Sequence, residues 1–375
     1  MRPGGHDKLE PPRDVLPPSR GLDVGALARL FDDATNSYKH LFFRAVLDEF
    51  REGAFKERVF PLARLAAGML AAAWYPCRVH RLSLDVQDKV AEALAQVDFI
   101  KDGLPPAAKV RQALIDRTPD VAGLLRFVPY RLIAPFFARD LKGVPDHRRN
   151  ERIRRSADMV FWTVRPLYRF LDNDRIELHP HWAEYIAENF AIVSGWAERR
   201  WIAYLQSRNP LAPAVSEKIG PPENRAPLTF QTAYWRQAIS AMSEPPVCIY
   251  SGVTLDRDRF ALDHFLPWTF VCHDALWNLV PVLPEANSAK GARLPHRVYV
   301  DGMVALQHRG LVTAEKLLSP REWGNVSASF VGDLRMSDDD LLDAGALVAA
   351  YAGTLEPQMA IARALGFEAD WRFSG

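Results

Sequence analysis

The sequence predicts a mainly α-helical protein with a small α+β insertion in its C-terminal half. Apolar residues recur at helical spacing through most of the first 230 residues, and the alternation typical of strands is scarce there. A β-prone stretch, residues 247–255, appears only after Pro245-Pro246. Helical spacing precedes it from Phe230 to Met242 and returns after Asp301, so helices should flank the insertion on both sides.

Length and composition restrict the class of protein. The chain has 375 residues, of which 48% are hydrophobic and 25% charged, as in globular proteins with two or three packed units. A formal charge of +1 means that any basic surface must be local. The sequence has neither a run of about 18 uninterrupted apolar residues nor an apolar signal segment near Met1, so we expect a cytoplasmic protein with no membrane partner.

The chain divides into four predicted regions. Residues 1–20 hold five prolines and little apolar content, which indicates a flexible leader. Residues 21–206 form a predicted helical domain, and residues 207–229, with five further prolines, form an extended connector. Residues 230–375 form the C-terminal domain. Within the helical domain the clearest helical segments are Phe60–Ala73, Asp85–Val97 and Ala107–Ile115.

A basic run lies in the helical domain between residues 139 and 155. It contains seven Lys or Arg against three Asp or Glu, a local charge of +4. Guanidinium groups match phosphate oxygens in a bidentate way, so this run is a candidate nucleic-acid-binding surface. The alternative is a helix face that only contacts solvent. The candidate residues are Arg148, Arg149, Arg152, Arg154 and Arg155.

The β-prone insertion contains an adjacent acid and base. We predict a hairpin in which residues 247–255 pair with a second strand that begins at Phe260 and carries Asp263-His264 before Pro267. Neighbouring strand residues point to opposite faces, so Asp263 and His264 would need a local bend to serve one site. Arg257 and Arg259 lie in the predicted turn, and we expect them to contact nucleic acid.

Three more polar residues follow the predicted hairpin. Asn278 lies in a short apolar segment, and Asn287 and Lys290 are three residues apart in a stretch compatible with a short helix, which places both on one face. Carboxylate and amide oxygens are ligands that suit Mg²⁺, and a histidine with a nearby cation can act on a phosphate ester. Together with Asp263 and His264, these residue types are those of a magnesium-dependent phosphodiesterase.

The same residues resemble the HNH endonuclease family, whose fold is a ββα-metal finger. The family pattern of Asp-His, proline, a central Asn before an apolar residue and a final Asn near a Lys is present as Asp263-His264, Pro267, Asn278-Leu279, Asn287 and Lys290. The final Asn is similar to that in the nuclease domain of RNA-guided CRISPR effectors. The resemblance covers about 48 of the 375 residues and implies a finger core at 245–296.

The resemblance implies a role for each residue of the pattern. Asp263 and Asn287 would hold one divalent ion, Mg²⁺ with Mn²⁺ able to substitute, and His264 would be the general base on the attacking water. Asn278 would hold the histidine strand in position, and Lys290 would contact phosphate. All five residues should therefore converge on one site.

One departure from the family concerns zinc. Many members staple the finger with zinc held by two CxxC pairs, whereas this chain has Cys248 followed by Ser251 and no second pair. We therefore expect no structural zinc, and a finger that relies on Trp268, Phe270, Trp277 and the surrounding helices.

The function implied by the resemblance is a metal-dependent HNH endonuclease that hydrolyses or nicks double-stranded DNA. Several such nucleases belong to phage-defence loci, which suggests an anti-phage or restriction effector that works with partner proteins of a defence system. Two alternatives remain open: a catalytically silent DNA-binding protein and a helical adaptor subunit. His273-Asp274 resembles the metal-binding dipeptide of HD phosphohydrolases, but no supporting His or Asp in a suitable context accompanies it.

Overall fold

A computed structural model of the chain describes residues 16–85, 88–97, 100, 105–117, 122–221 and 226–375. The described residues form two compact units, one from residue 16 to 210 and the other mainly from 226 to 375. In the segment that connects the two units, residues 211–218 belong to the second unit and residues 219–221 to the first. Across the described ranges, no helix is long and apolar enough to cross a membrane.

Residues 207–229 are not extended throughout, contrary to the prediction. The preceding helix runs to Arg208, a 3₁₀ helix covers Val215–Lys218, and the next α-helix begins at Thr229. Lys218 is fully buried in the second unit, where its ammonium donates to the carbonyl of Phe270 at 2.6 Å. Prolines break longer helices, but a single 3₁₀ turn fits between them.

The first unit is predominantly helical. Its α3 packs on α2, and a Cβ added to Gly68 of α3 would lie 2.9 Å from the Ala45 Cβ, so glycine is what permits the close approach. Its helices are α1 Val24–Ala28, α2 Tyr38–Glu52, α3 Leu62–Trp74, α4 Lys89–Ala95, α5 Ala107–Asp116, α6 Ala122–Leu125, α7 Val128–Leu132, α8 Asp146–Met159, α9 Pro180–Glu188 and α10 Phe190–Arg208.

The first unit also contains a small sheet that the sequence did not reveal. Its strands are β1 Val59–Pro61, β2 Tyr168–Phe170 and β3 Arg175–Leu178, with β3 in the centre and both neighbours antiparallel. Phe60 and Phe170 both lie opposite Ile176. Strands of three or four residues are too short to show a convincing alternation, which explains the omission.

The predicted leader, residues 1–20, falls largely outside the described residues. The part that the structure describes, from residue 16, is not free of the fold. Leu16 is 4% exposed, and the carbonyl of Pro17 accepts a hydrogen bond from the Tyr185 hydroxyl at 2.8 Å. An apolar side chain in a proline-rich segment is enough to anchor it.

The second unit consists of a two-stranded sheet surrounded by helices. Apolar side chains from both form one core, which includes Trp277, Phe330 and Tyr351. The prediction of a mainly α fold with a small α+β insertion is therefore confirmed. The elements of this unit are α11 Thr229–Ala241, β4 Ala261–His264, α12 Trp268–Val271, β5 Leu279–Val282, α13 Pro284–Lys290, α14 Val300–Leu317, α15 Pro320–Leu334 and α16 Ala344–Ala364.

The pairing of the two strands differs from the predicted hairpin. β4 pairs antiparallel with β5, not with residues 247–255. The earlier stretch folds back on itself instead: Cys248 N donates to Val253 O, and Gly252, with φ of +71°, closes the turn with its N–H on Cys248 O. These local hydrogen bonds use the backbone groups that a strand would offer.

Candidate active site

The end of β4 is fastened by the side chain of Asn278. The amide oxygen of Asn278 accepts the backbone N–H of Leu266 at 2.8 Å, and its nitrogen donates to Leu266 O at 2.9 Å. Phe265 N donates to the Asn278 backbone carbonyl. Because Asn278 is fully buried, water does not compete for these bonds. The backbone that follows Asp263 and His264 is therefore held in one place.

The Asp263 carboxylate is 2% exposed and is bonded through both oxygens. Its Oδ1 accepts from Lys290 Nζ at 2.9 Å, and its Oδ2 accepts from the Tyr250 hydroxyl at 2.6 Å. Burial, with a further contribution from Asp263, raises the pKa of Tyr250 well above its usual value, so the hydroxyl keeps its proton and donates. The carboxylate is thus oriented by two fixed donors.

Lys290 lies beside Asp263, and its side chain is more enclosed than the sequence interpretation implied. Its side chain is 1% exposed, and the ammonium donates to Asp263 and, at 2.7 Å, to the backbone carbonyl of His264. Burial lowers the pKa of Lys290, and the Asp263 carboxylate opposes that shift. In this arrangement Lys290 is the internal counter-ion of Asp263, and its contact with phosphate stays a prediction.

His264 turns to a different partner from its neighbour Asp263. Its Nε2 atom lies 2.7 Å from Asp274 Oδ1, and its side chain is 9% exposed. Among the described residues, none forms a hydrogen bond with Nδ1. This ring nitrogen is therefore available to water, as a general base requires.

Asn287 stands on the same face of α13 as Lys290, one turn earlier. Its side chain is half-buried and forms no hydrogen bond with the part of the chain that the structure describes. Lys290, on that face, contacts the Asp263 carboxylate directly.

The oxygen donors present fit a hard divalent ion better than zinc. Two lone-pair positions of the Asp263 carboxylate are used by its donors, which leaves the others for a metal ion, and Asn287 adds an unbonded amide oxygen. Within the described ranges, no group of three or more His, Cys, Asp or Glu side chains is placed to hold a metal. Asp263 and Asn287 would hold Mg²⁺ or Mn²⁺, with water and phosphate as the remaining ligands.

Two of the three residues expected to support the finger in place of zinc, Phe270 and Trp277, belong to the apolar core. Cys248 and Phe270 are fully buried, and Trp277 is 1% exposed. The indole of Trp277 donates to Asp333 Oδ2 at 2.6 Å, while Trp268 is half-buried. Packing against α15 therefore supports the finger.

Arg257 and Arg259 lie on the surface just before β4. Arg259 pairs with Glu285 at 3.0 Å, where the side chains are 74% and 59% exposed, and Arg257 pairs with Asp258. Exposed pairs of this kind are weak, so both arginines can exchange their partners for phosphate at little cost.

The basic run forms helix α8 in the first unit. Arg148, Arg152 and Arg155 are exposed and follow one another at spacings of four and three, so they share one helix face. With Lys142 they line a groove of about 410 Å³ that also contains Glu151.

The other two arginines of α8 make contacts within the first unit. Arg149 donates to Val144 O, and Arg154 donates to Asn173 Oδ1 at 2.7 Å and lies over the Phe170 ring. The exposed, groove-lining face of α8 therefore comprises three of the five candidate arginines.

Two residues of the site were not identified from the sequence. Tyr250 lies within the β-prone stretch and gave no signal of its own. Asp274 was considered only as part of His273-Asp274. A separation of ten residues from His264 does not by itself predict that the two side chains are in contact. Both residues became apparent only from their contacts in the folded structure, Tyr250 with Asp263 and Asp274 with His264.

Comparison with known proteins identifies the segment that contains this site. Residues 248–296 match the family model of the HNH endonuclease, a segment that includes β4, β5 and α13. No curated protein and no solved structure matches the chain. The matched segment contains the Asp263-His264 pair, the fastening Asn278 and the helix that carries Asn287. The match identifies residues 248–296 as a segment of the HNH endonuclease type.

Proposed function

We propose that this protein is a divalent-metal-dependent endonuclease that hydrolyses phosphodiester bonds of double-stranded DNA. One observation carries the proposal: β4 ends in a fixed carboxylate, Asp263, beside a histidine whose Nδ1 is free for water. The family match supports nuclease chemistry in general. The metal requirement is inferred from the oxygen donors of the site, and the DNA substrate from the family resemblance and the exposed arginines.

His264 performs the proton transfer in the proposed reaction. Its Nδ1 takes a proton from water while the water oxygen forms a bond to phosphorus. The bond from phosphorus to the 3′ oxygen breaks with its electron pair, and that oxygen takes a proton from solvent. The products are a 5′-phosphate and a 3′-hydroxyl, and His264 returns its proton to solvent.

Asp263 and Asn287 would hold the divalent ion, and Lys290 and Tyr250 orient Asp263 for that task. A bound Mg²⁺ or Mn²⁺ would stabilise negative charge on the scissile phosphate and on the leaving oxygen. Asn278 keeps the loop after His264 in register with β5, so the base stays next to the carboxylate.

The arginines support a nucleic-acid substrate. Arg257 and Arg259 lie exposed on the finger itself, and Arg148, Arg152 and Arg155 form an exposed face on α8. A chain with a formal charge of only +1 that concentrates arginines on one helix face has a local surface suited to the phosphate backbone.

Cleavage of supercoiled plasmid by the full-length protein tests the proposal. Mg²⁺ or Mn²⁺ should support nicking or linearisation, and EDTA should abolish it with little change in melting temperature, because two protein ligands bind an ion loosely. Stoichiometric zinc by elemental analysis, or cleavage that persists in EDTA, would contradict it. A plasmid that is bound but never cut would favour the catalytically silent alternative.

We further propose that the nuclease serves bacterial anti-phage defence or restriction together with partner proteins. The resemblance to nucleases of such loci is the support for this setting. Expression of the wild type should reduce phage plaque formation, and His264→Ala should lose that protection. Equal protection by the variant would favour the adaptor alternative, in which the finger is carried but not used.

A further inference from the structure

A carboxylate outside the HNH pattern contacts the imidazole of His264. Asp274 Oδ1 lies 2.7 Å from His264 Nε2, and the two side chains are 22% and 9% exposed respectively. The distance is that of a strong hydrogen bond with an ionised partner. Asp274 lies in the loop between α12 and β5, ten residues after the histidine.

The loop that carries Asp274 is itself fixed at several points. The side chain of Gln231, on α11, donates to the backbone carbonyl of Asp274 at 2.9 Å. Two residues on, the N–H of Leu276 donates to Ser329 Oγ, on α15, at 3.0 Å. Cys272 ends α12 in the left-handed conformation, with φ of +58°, and so turns the chain toward this loop. The carboxylate therefore has a defined position.

The contact determines which ring nitrogen carries the proton. An ionised carboxylate only accepts hydrogen bonds, so Nε2 must be the protonated nitrogen of a neutral His264. The other nitrogen, Nδ1, then presents its lone pair, and no described residue occupies it. Without the carboxylate, both tautomers and both ring orientations would be accessible to the side chain.

We propose that Asp274 is a positioning residue that holds His264 in the Nε2–H tautomer, with Nδ1 directed at the attacking water. The inference rests on the proposed function, because it assigns Asp274 to the same reaction through His264. A purely structural role, in which Asp274 only stabilises its loop, makes different predictions for a double-mutant cycle.

The cycle combines Asp274→Asn with His264→Ala in the full-length protein. Asp274→Asn keeps the shape of the side chain, and we expect it to lower the cleavage rate at saturating DNA by about 10- to 100-fold with unchanged KM. In the His264→Ala background, the same change should alter the residual rate by less than about twofold, since the imidazole is gone. An equal loss in both backgrounds would overturn the proposal.

Asp370→Asn is the matched control. This variant also replaces a carboxylate that pairs with a nitrogen-containing side chain, that of Arg363 at 2.9 Å. The pair lies on the surface of the same unit. Its left-handed φ of +61° is compatible with asparagine. We expect its cleavage rate to equal that of the wild type, and a loss as large as that of Asp274→Asn would count against a specific role for Asp274.

A second readout does not depend on cleavage. ¹⁵N-labelled histidine in the full-length wild type reports the tautomer of His264, whose signals are identified by their loss in His264→Ala. Signals of the Nε2–H form support the proposal, and signals of the Nδ1–H form overturn it. If the wild type cuts no DNA with either metal, the proposed function fails while this spectrum still decides the role of Asp274.

Discussion

The carboxylate of Asp263 receives hydrogen bonds from two buried side chains of different charge. Lys290 neutralises it, whereas Tyr250 adds a neutral donor at 2.6 Å without removing its charge. Both oxygens of the buried acid therefore have a donor within the protein. The two donors leave the carboxylate oriented before any ligand arrives.

Tyr250→Phe should weaken metal binding. The change removes the donor to Asp263 Oδ2 but keeps the ring that packs edge-on against Tyr299 and Trp371. Loss of such an outer hydrogen bond typically costs about 10- to 100-fold in metal affinity, and titration with Mn²⁺ followed by calorimetry measures it. Tyr299→Phe, which removes a neighbouring hydroxyl that accepts a hydrogen bond from Phe373 N, is the control. Equal affinities in all three proteins would contradict this role.

At the residue scale, the sequence predicted those site residues that belong to one short motif. The motif supplied four candidates, which lie close together in the chain and have the residue types and spacing of the family pattern: Asp263, His264, Asn278 and Asn287. The counter-ion contact of Lys290 depends on the burial of its side chain, which is 1% exposed. The position of Asp274 depends on a loop that α11 and α15 hold in place. Neither burial nor contacts between distant elements follow from local spacing.

At the scale of elements, the predicted helices were the most reliable. The segment Ala107–Ile115 corresponds to α5, Ala107–Asp116, because its apolar residues mark one face over several turns. The second strand of the finger was misassigned, since Pro281 within β5 argues against a strand. A two-stranded sheet tolerates proline, because each strand has one side without a partner in the sheet.

Helix α2 contains a buried histidine that should make the first unit sensitive to acid. His40 is 6% exposed and stacks on Phe31 at 4.3 Å. Burial, with Arg200 and Lys39 nearby, lowers the pKa of His40 to about 3. Its unfolded value is about 6.5, so the unfolded chain binds the proton first and stability falls as pH drops below about 6.5.

The expected loss is about 2 kcal/mol at pH 5 relative to pH 7.5, which follows from the difference in proton binding between the two states. Hydrogen exchange of the α2 amides measures it locally. His40→Gln cannot take up this proton, so its α2 amides should lose less protection over the same range. An identical pH dependence in both proteins would show that another group is responsible.

For the whole molecule, the exposed face of α8 is a predicted DNA-binding surface. Replacement of Arg148, Arg152 and Arg155 by Ala should weaken binding equally on all sequences if α8 contacts the phosphate backbone. Each lost phosphate contact should flatten the log–log salt dependence of affinity by about 0.9, and titrations at several salt concentrations measure that slope.

A charge-matched control replaces Arg309, Lys316 and Arg321, which are exposed on α14 and α15. We expect it to leave the slope near the wild-type value. If the α8 variant keeps the wild-type affinity and slope, α8 is only a solvent-facing helix and the DNA surface is confined to the finger.

The central claim is that His264 is the general base of a metal-dependent nuclease, and one comparison tests it most directly. Full-length wild type and His264→Ala are incubated with supercoiled plasmid and Mg²⁺, and their DNA affinities are measured in parallel. We expect the variant to lose about 10²- to 10⁴-fold in cleavage rate with an affinity near the wild-type value. Cleavage by His264→Ala at close to the wild-type rate would contradict the account.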